Sequence, residues 1–197
     1  MFIMLVIIDH IQGRGKLKEK NKIFPVIKLD KIPLPGWANQ QNSMAAIAAT
    51  YLCKVKLDKI SKSLESFTGL PHRLQFLGEY NGKKFYDDSD ATTPESTIFA
   101  LNALKTPIIL ITGGSDKGFD YSELGREIAK QVKLLITIGQ TGVFIKNHVI
   151  SNNNSIKNFE AKNLEEAVKY AKENSLPGDS IVLSPASASF EIGRAHV

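Results

Sequence analysis

Cysteine is almost absent from this chain: Cys53 is the only one in 197 residues. An internal disulfide is therefore excluded, and the composition suits a reducing compartment. Cys53 lies among apolar residues of a helical pattern and is expected to be buried and inert. Long apolar runs are missing too. Met1 to Ile8 is apolar through eight residues, well short of the roughly 20 that a membrane-spanning helix needs. No basic stretch of a signal peptide accompanies it, so a buried strand and a cytoplasmic protein are expected. Internal repeats are absent, and low complexity is confined to Asn152-Asn153-Asn154, a surface loop.

With 43% hydrophobic residues, the chain can bury a real core as one large or two small domains. Its net charge of +5 is mildly basic. The lysines crowd 16–31 and 54–62, where they read as solvated faces, and neither a nucleic-acid nor a membrane partner is expected.

Residues 2–8 and 24–29 read as strands around a Lys/Gly-rich turn. Pro33, Pro35 and Gly36 then break the chain. From Ala38 to Val55 small and apolar residues predict a packed helix, and Leu57, Ile60, Leu64 and Phe67 repeat at helical spacing in a second. Thr68-Gly69-Leu70-Pro71 marks a domain boundary. Beyond it, 74–80 and 84–87 form a hairpin around Asn81-Gly82, a type I′ turn signal. Thr93-Pro94-Glu95 opens a helix with a cap and a first-turn proline. Strand 107–112 with helix 121–132, strand 133–138 with helix 141–149, and strand 156–160 with helix 163–173 follow, and strand 180–183 closes the series. This alternation predicts an α/β fold with a mainly parallel sheet covered on both faces. Ligands bind such sheets at the carboxyl ends of the strands, which directs attention to 88–93, 113–118, 139–142 and 184–190.

Four segments carry candidate chemistry. Asn39 and Asn42 stand three apart at a helix start, where they can touch one ligand or serve as a cap and a polar surface residue. His72 and Arg73 follow Gly69-Leu70-Pro71; the guanidinium suits a phosphate, and an interdomain salt bridge suits it equally. Asp87, Asp88 and Asp90 precede a helix N-terminus, where they can hold Mg²⁺, accept from ribose hydroxyls, or remain solvated beside a capped helix. Gly113-Gly114-Ser115-Asp116-Lys117-Gly118 follows an apolar strand, and Lys117 offers a point charge to an anion. It matches neither a P-loop nor G-x-G-x-x-G, and alone it reads as a glycine turn. The small-residue run Ser184-Pro185-Ala186-Ser187-Ala188-Ser189-Phe190 ends the series. Its hydroxyls and free N–H groups suit a carboxylate.

In this order the segments resemble the carboxyl-terminal half of a Mur ligase. The resemblance rests on Gly36/Asn39/Asn42, FTGLPHR at 67–73, DDSDATTPEST at 87–97, GGSDKG at 113–118 and LSPASASF at 183–190. It runs from about Ile32 to Phe190. GLPHR and SPASASF favour the D-glutamate-adding branch over a folylpolyglutamate or L-alanine-adding sister. The resemblance implies a Rossmann-like carboxyl-terminal domain over 71–190 and, over 1–70, the tail of a central ATPase domain. It implies a monomeric enzyme in which ATP, with Mg²⁺, converts the carboxylate of UDP-N-acetylmuramoyl-L-alanine to an acyl phosphate that D-glutamate attacks. Asn39, Asn42, Arg73 and Asp88 match ATP-binding positions. Thr92, Lys117, Ser189 and Phe190 match D-glutamate-binding positions, and Lys117, Arg73 and His72 are the catalytic candidates. No metal ligand is implied within this chain.

Two positions depart from the pattern. Ala38 stands where the family usually has histidine, and Asp90 where many members have lysine, reversing a local charge. No P-loop or nucleotide-sugar domain is present, so an inactive fragment is expected. A non-catalytic Rossmann-like binding module is the other reading. Glu191 to Val197 reads like translated sequencing-adaptor DNA and is expected to be artefact. Sequencing the locus checks both points: a P-loop upstream of Gly36 and different codons after Phe190 are expected, and an in-frame stop just before Met1 would favour the module.

Overall fold

The computed structural model describes residues 4–9, 12–19, 22–105 and 107–188. The expectation for Glu191 to Val197, like the placement of Ser189 and Phe190, lies outside them. The chain divides into two compact units, Met1–Gly69 and Leu70–Val197.

The first unit pairs β1 (Met4–Asp9), β2 (Arg14–Glu19) and β3 (Lys22–Lys28) as an antiparallel sheet, followed by α1 (Trp37–Leu52) and α2 (Leu57–Glu65). Where a Lys/Gly-rich turn is expected, β2 is a strand. Its polar residues alternate with Gly15 and Leu17, which are buried. Gly15 admits the Met44 side chain, since a Cβ there would lie 2.7 Å from Met44 Cε. Leu17, Ile27, Met44, Ile47 and Ile60 form the core of this unit.

Cys53 is exposed, not buried. It caps the end of α1, and at about 100° per residue it points well away from the Met44 and Ile47 stripe. Ala45, Ala46 and Ala49 are exposed as well, so α1 buries one stripe and is not packed all round.

The second unit begins with the hairpin β4 (Gln75–Tyr80) and β5 (Lys83–Asp87). Asn81 and Gly82 at its turn have φ of 53° and 73°, the left-handed pair that a type I′ turn requires. Then come α3 (Pro94–Ala103), β6 (Ile108–Gly113), α4 (Ser122–Gln131), β7 (Val132–Ile138), α5 (Gly139–Asn152), β8 (Lys157–Ala161), α6 (Leu164–Glu173) and β9 (Ser180–Leu183). Thr93 caps α3 by accepting from the Ser96 N–H at 3.4 Å, with Pro94 in the first turn.

The sheet order is β4-β5-β9-β6-β7-β8, and only β4 runs antiparallel to its neighbour. From β5 through β6 and β7 to β8 the chain advances in one direction. Right-handed crossovers therefore put α3, α4 and α5 on one face. From β8 to β9 it steps back, which puts α6 on the other. The core follows this division. Ile108 and Leu110 pack with α3, α4 and α5, while Ile109 and Ile111 pack with Ala167 and Ala171 of α6. Both faces of β6 are thus buried, which explains its unbroken apolar run. Edge strand β4 carries a bulge between Phe76 and Gly78, where Gly78 has φ of 135°. Among the described residues no helix is long and apolar enough to cross a membrane.

The end of β6 is the tightest point. Gly113 has φ of 111°, and a Cβ there would lie 2.1 Å from Ile138 O. Gly113→Ala is expected to cost at least about 2 kcal/mol, read as a lowered midpoint of thermal unfolding by circular dichroism.

Candidate functional site

Neighbouring strands β5, β9 and β6 end on the same edge of the sheet, and their following loops carry most of the candidate residues. The direction of strand order reverses here, because β9 returns between β5 and β6. Crevices in open α/β sheets form at such points.

The β6 loop and the serine-rich β9 loop are laced together by backbone. Gly113 N donates to Pro185 O at 2.9 Å, Ser115 N donates to Ala188 O at 2.9 Å, and Ser115 and Ala188 form an antiparallel bridge. A Cβ on Gly114, where φ is 156°, would lie 2.3 Å from Ala188 O. The two glycines therefore admit the protein's own backbone. Lys117, three residues beyond Gly114, is exposed and has no ion pair among the described residues. Thr92 in the β5 loop is half-buried, and its N–H donates to Asp90 O at 2.9 Å.

The three aspartates after β5 diverge. Asp88 is 8% exposed. Its Oδ1 accepts from Leu74 N at 2.9 Å, and its Oδ2 accepts from Ser184 Oγ at 2.7 Å. Ser184 Oγ in turn lies 2.7 Å from Thr97 Oγ1 on the buried side of α3. Asp88 thus braces the backbone beside Arg73 against the β9 loop, and its carboxylate does not face outward as expected of a ribose contact. Asp87 Oδ2 lies 2.7 Å from His72 Nδ1, and Asp87 Oδ1 accepts from Ser89 N at 2.9 Å. Asp90 Oδ2 lies 3.8 Å from Arg73 Nε. His72 and Arg73 therefore find carboxylates within their own unit. The charge reversal at Asp90 gives Arg73 a partner, yet the guanidinium stays largely exposed.

The adjacent carboxyls are shifted in opposite directions. Burial pushes Asp88 up to about 6, against hydrogen bonds from Ser184 and Leu74. Partial burial also pushes Asp87 upward, but hydrogen bonds from Ser89 and His72 outweigh it and hold the group below the usual carboxylate range. With Asp88 turned inward, the trio does not make a Mg²⁺ site. No cluster of His, Cys, Asp or Glu among the described residues is arranged to hold a metal.

In the first unit, Asn39 and Asn42 line a groove of about 380 Å³ between α1 and α2, with Leu34, Ala46 and Leu64. Gly36, not an asparagine, occupies the N-cap of α1. Asn39 Nδ2 instead donates back to Pro35 O at 2.7 Å.

The segments 139–142 and 184–190 contain Thr141 and Ser184, and 87–97 contains Thr97, but sequence reasoning gave none of the three a role of its own at this edge. For Thr97 a signal was present: a hydroxyl four residues past the capping Thr93, on the apolar side of α3 with Ala100 and Leu101.

Comparison with known proteins places these loops in context. Residues 72–187 match the family model for the Mur ligase, glutamate ligase domain. The chain is 43% identical over 179 residues to the UDP-N-acetylmuramoylalanine--D-glutamate ligase of Caldanaerobacter subterraneus subsp. tengcongensis, covering 90% of this chain and 39% of that protein. The enzyme of the same name from Ruminiclostridium cellulolyticum is 41% identical over 186 residues, covering 91% of this chain and 40% of that protein. The chain therefore spans about two fifths of the curated relatives' length. Among solved structures, the UDP-N-acetylmuramate-alanine ligase MurC of Thermotoga maritima superposes with a TM-score of 0.66 at 16% identity, over 90% of this chain and 40% of that one. Escherichia coli FolC in complex with DHPP and ADP gives 0.67 at 16% identity, over 93% and 43%. Likeness at this identity speaks for the fold alone.

The Asp88 shift predicts a pH dependence. Folding raises its pKa from 3.8 to about 6, so the native state holds this proton more tightly than the unfolded chain. The contribution is complete below about pH 4 and is lost as pH rises through 6, on the order of 3 kcal/mol in all. Asp88→Asn is expected to gain stability relative to the parent chain between pH 4 and 6.5, read from paired urea melts. Parallel pH profiles would contradict this.

Proposed function

The chain belongs to the Mur ligase family, and on that premise we propose that it is part of an ATP-dependent enzyme that joins D-glutamate to UDP-N-acetylmuramoyl-L-alanine. Residues 1–70 are the tail of its central ATP-binding domain, and 71–190 its amino-acid-binding domain. The relatives that share over 40% identity carry that ligase's name. The observation that most supports the reading is the bridge from Ser115 to Ala188. It holds the loop of Lys117 against the serine-rich loop, the two segments through which a dicarboxylate would be gripped.

A carboxylate is a poor electrophile until one oxygen becomes a leaving group. ATP, when bound, supplies that change by giving an acyl phosphate. Asn39 and Asn42 hold the nucleotide through their amides, at the groove they line. The exposed fork of Arg73 meets the phosphates, where a guanidinium stabilises charge on a transferring phosphoryl group. His72, tied to Asp87, and Asp88, bonded to Leu74 N, fix the backbone on either side of Arg73. Lys117 pairs with one carboxylate of D-glutamate, Thr92 lies beside it, and the serine-rich loop toward Ser189 and Phe190 takes the other. Holding both ends presents the amine to the acyl carbon and removes orientational freedom before reaction. Mg²⁺ finds no ligand cluster among the described residues. The enzyme works as a cytoplasmic monomer on small-molecule substrates.

In the full-length enzyme, Lys117→Ala and Arg73→Ala are each expected to lower D-glutamate-dependent phosphate release by about 100-fold or more. Wild-type turnover in either variant would overturn that residue's role. Release dependent on a different amino acid would assign the chain to a sister ligase.

A further inference from the structure

Thr141 stands in the first turn of α5, within the 139–142 segment but with no role assigned so far, and is fully buried. Its N–H donates to Gly114 O at 2.9 Å. Its hydroxyl lies 3.2 Å from the same carbonyl and 3.0 Å from Ser187 Oγ. Ser187 is also fully buried and donates onward to Pro185 O at 3.3 Å. One side chain therefore touches the β6 loop three residues before Lys117 and the serine-rich β9 loop at its centre. Glycine at 114 is what permits this closeness, since a Cβ there would lie 2.9 Å from Ser187 Oγ.

We propose that Thr141 is a positioning residue for amino-acid binding, setting the spacing between the Lys117 loop and the serine-rich loop through the Gly114–Thr141–Ser187 hydrogen bonds. The proposal rests on the ligase reading above for which amino acid is bound. A dicarboxylate is gripped well only if the cation and the hydroxyl-lined loop stand at its own length, and the Thr141 hydroxyl adds a side-chain tie from a helix to the backbone bonds Gly113 N–Pro185 O and Ser115 N–Ala188 O that join the loops. The helix start of α5 supplies a rigid anchor, and the Thr141 hydroxyl carries its position to both loops. The nucleotide and the sugar-peptide touch neither loop in this reading, so their binding should not depend on Thr141.

Thr141→Val keeps the shape and the backbone bond but removes the hydroxyl. In the full-length enzyme it is expected to raise the KM for D-glutamate about tenfold. The KM values for ATP and UDP-N-acetylmuramoyl-L-alanine and the kcat should change less than about twofold, and Thr141→Ser should restore the parent value. An unchanged KM for D-glutamate, or equal rises for all three substrates, would overturn the proposal. Should Thr141→Val fail to fold, Ser187→Ala removes the other end of the same bond and carries the same expectation.

A second readout needs no substrate. In the 197-residue chain, amide exchange at Gly113 and Ser115, whose N–H groups bond to the β9 loop, should accelerate about tenfold in Thr141→Val. Unchanged exchange would sink the spacing role. If turnover depends on another amino acid, the ligase reading fails while the Thr141 effect is read on that amino acid's KM.

Discussion

The last strand of the sheet in the chain, β9, lies in its middle, and the parallel pairing of β9 with β5 and β6 is the constraint on which the second unit depends. Lys84 pairs with Ser180, and Ile108 pairs with the same residue from the other side. Without β9 neither β5 nor β6 has its central neighbour, and Ile181 and Val182 leave the cores on the two faces. These contacts join residues far apart in sequence, so each carries a loop-closure cost that local contacts do not. The same insertion brings three loop-bearing strand ends side by side. Stability and site therefore share one cause.

Around that edge the protein uses polar groups for internal ties more than for display. Asp88, Ser184 and Thr97 form a buried hydrogen-bonded chain from the β5 loop through the β9 loop to α3. Such a network is rigid when every member is satisfied and costly when one is removed. Neighbouring Asp87 has the opposite environment, held ionised by Ser89 and His72. Two adjacent carboxyls of identical chemistry thus do different work, one beneath the loop and one at its mouth.

The parallel sheet was legible in the sequence because its physics is local. The apolar runs Ile108 to Ile111 and Leu134 to Ile138 read as strands buried on both faces, and Thr93-Pro94 and Asn81-Gly82 mark their neighbours' ends. Strand β2 was not legible as such, because lysines mask the two inward residues Gly15 and Leu17. Cys53 was misplaced because the apolar composition of α1 does not reveal which stripe it buries. The candidate loops were legible as segments, but the orientation of side chains within them was not. Asp88 turns inward because of Ser184, 96 residues away in sequence, and Gly113 and Gly114 make room for backbone of β7 and of the loop after β9. Such contacts are properties of the fold and leave no pattern in a short window.

The bulge in β4 bears on how this protein behaves in company. The strand lies at the sheet's edge, with Phe76, Leu77 and Tyr80 all more than half exposed. A flat edge with such side chains would template pairing with another copy. The extra residue near Gly78 breaks the register of donors and acceptors and twists the strand, so an incoming chain meets a ladder with a missing rung. A stickier surface is tolerated because its backbone is out of step.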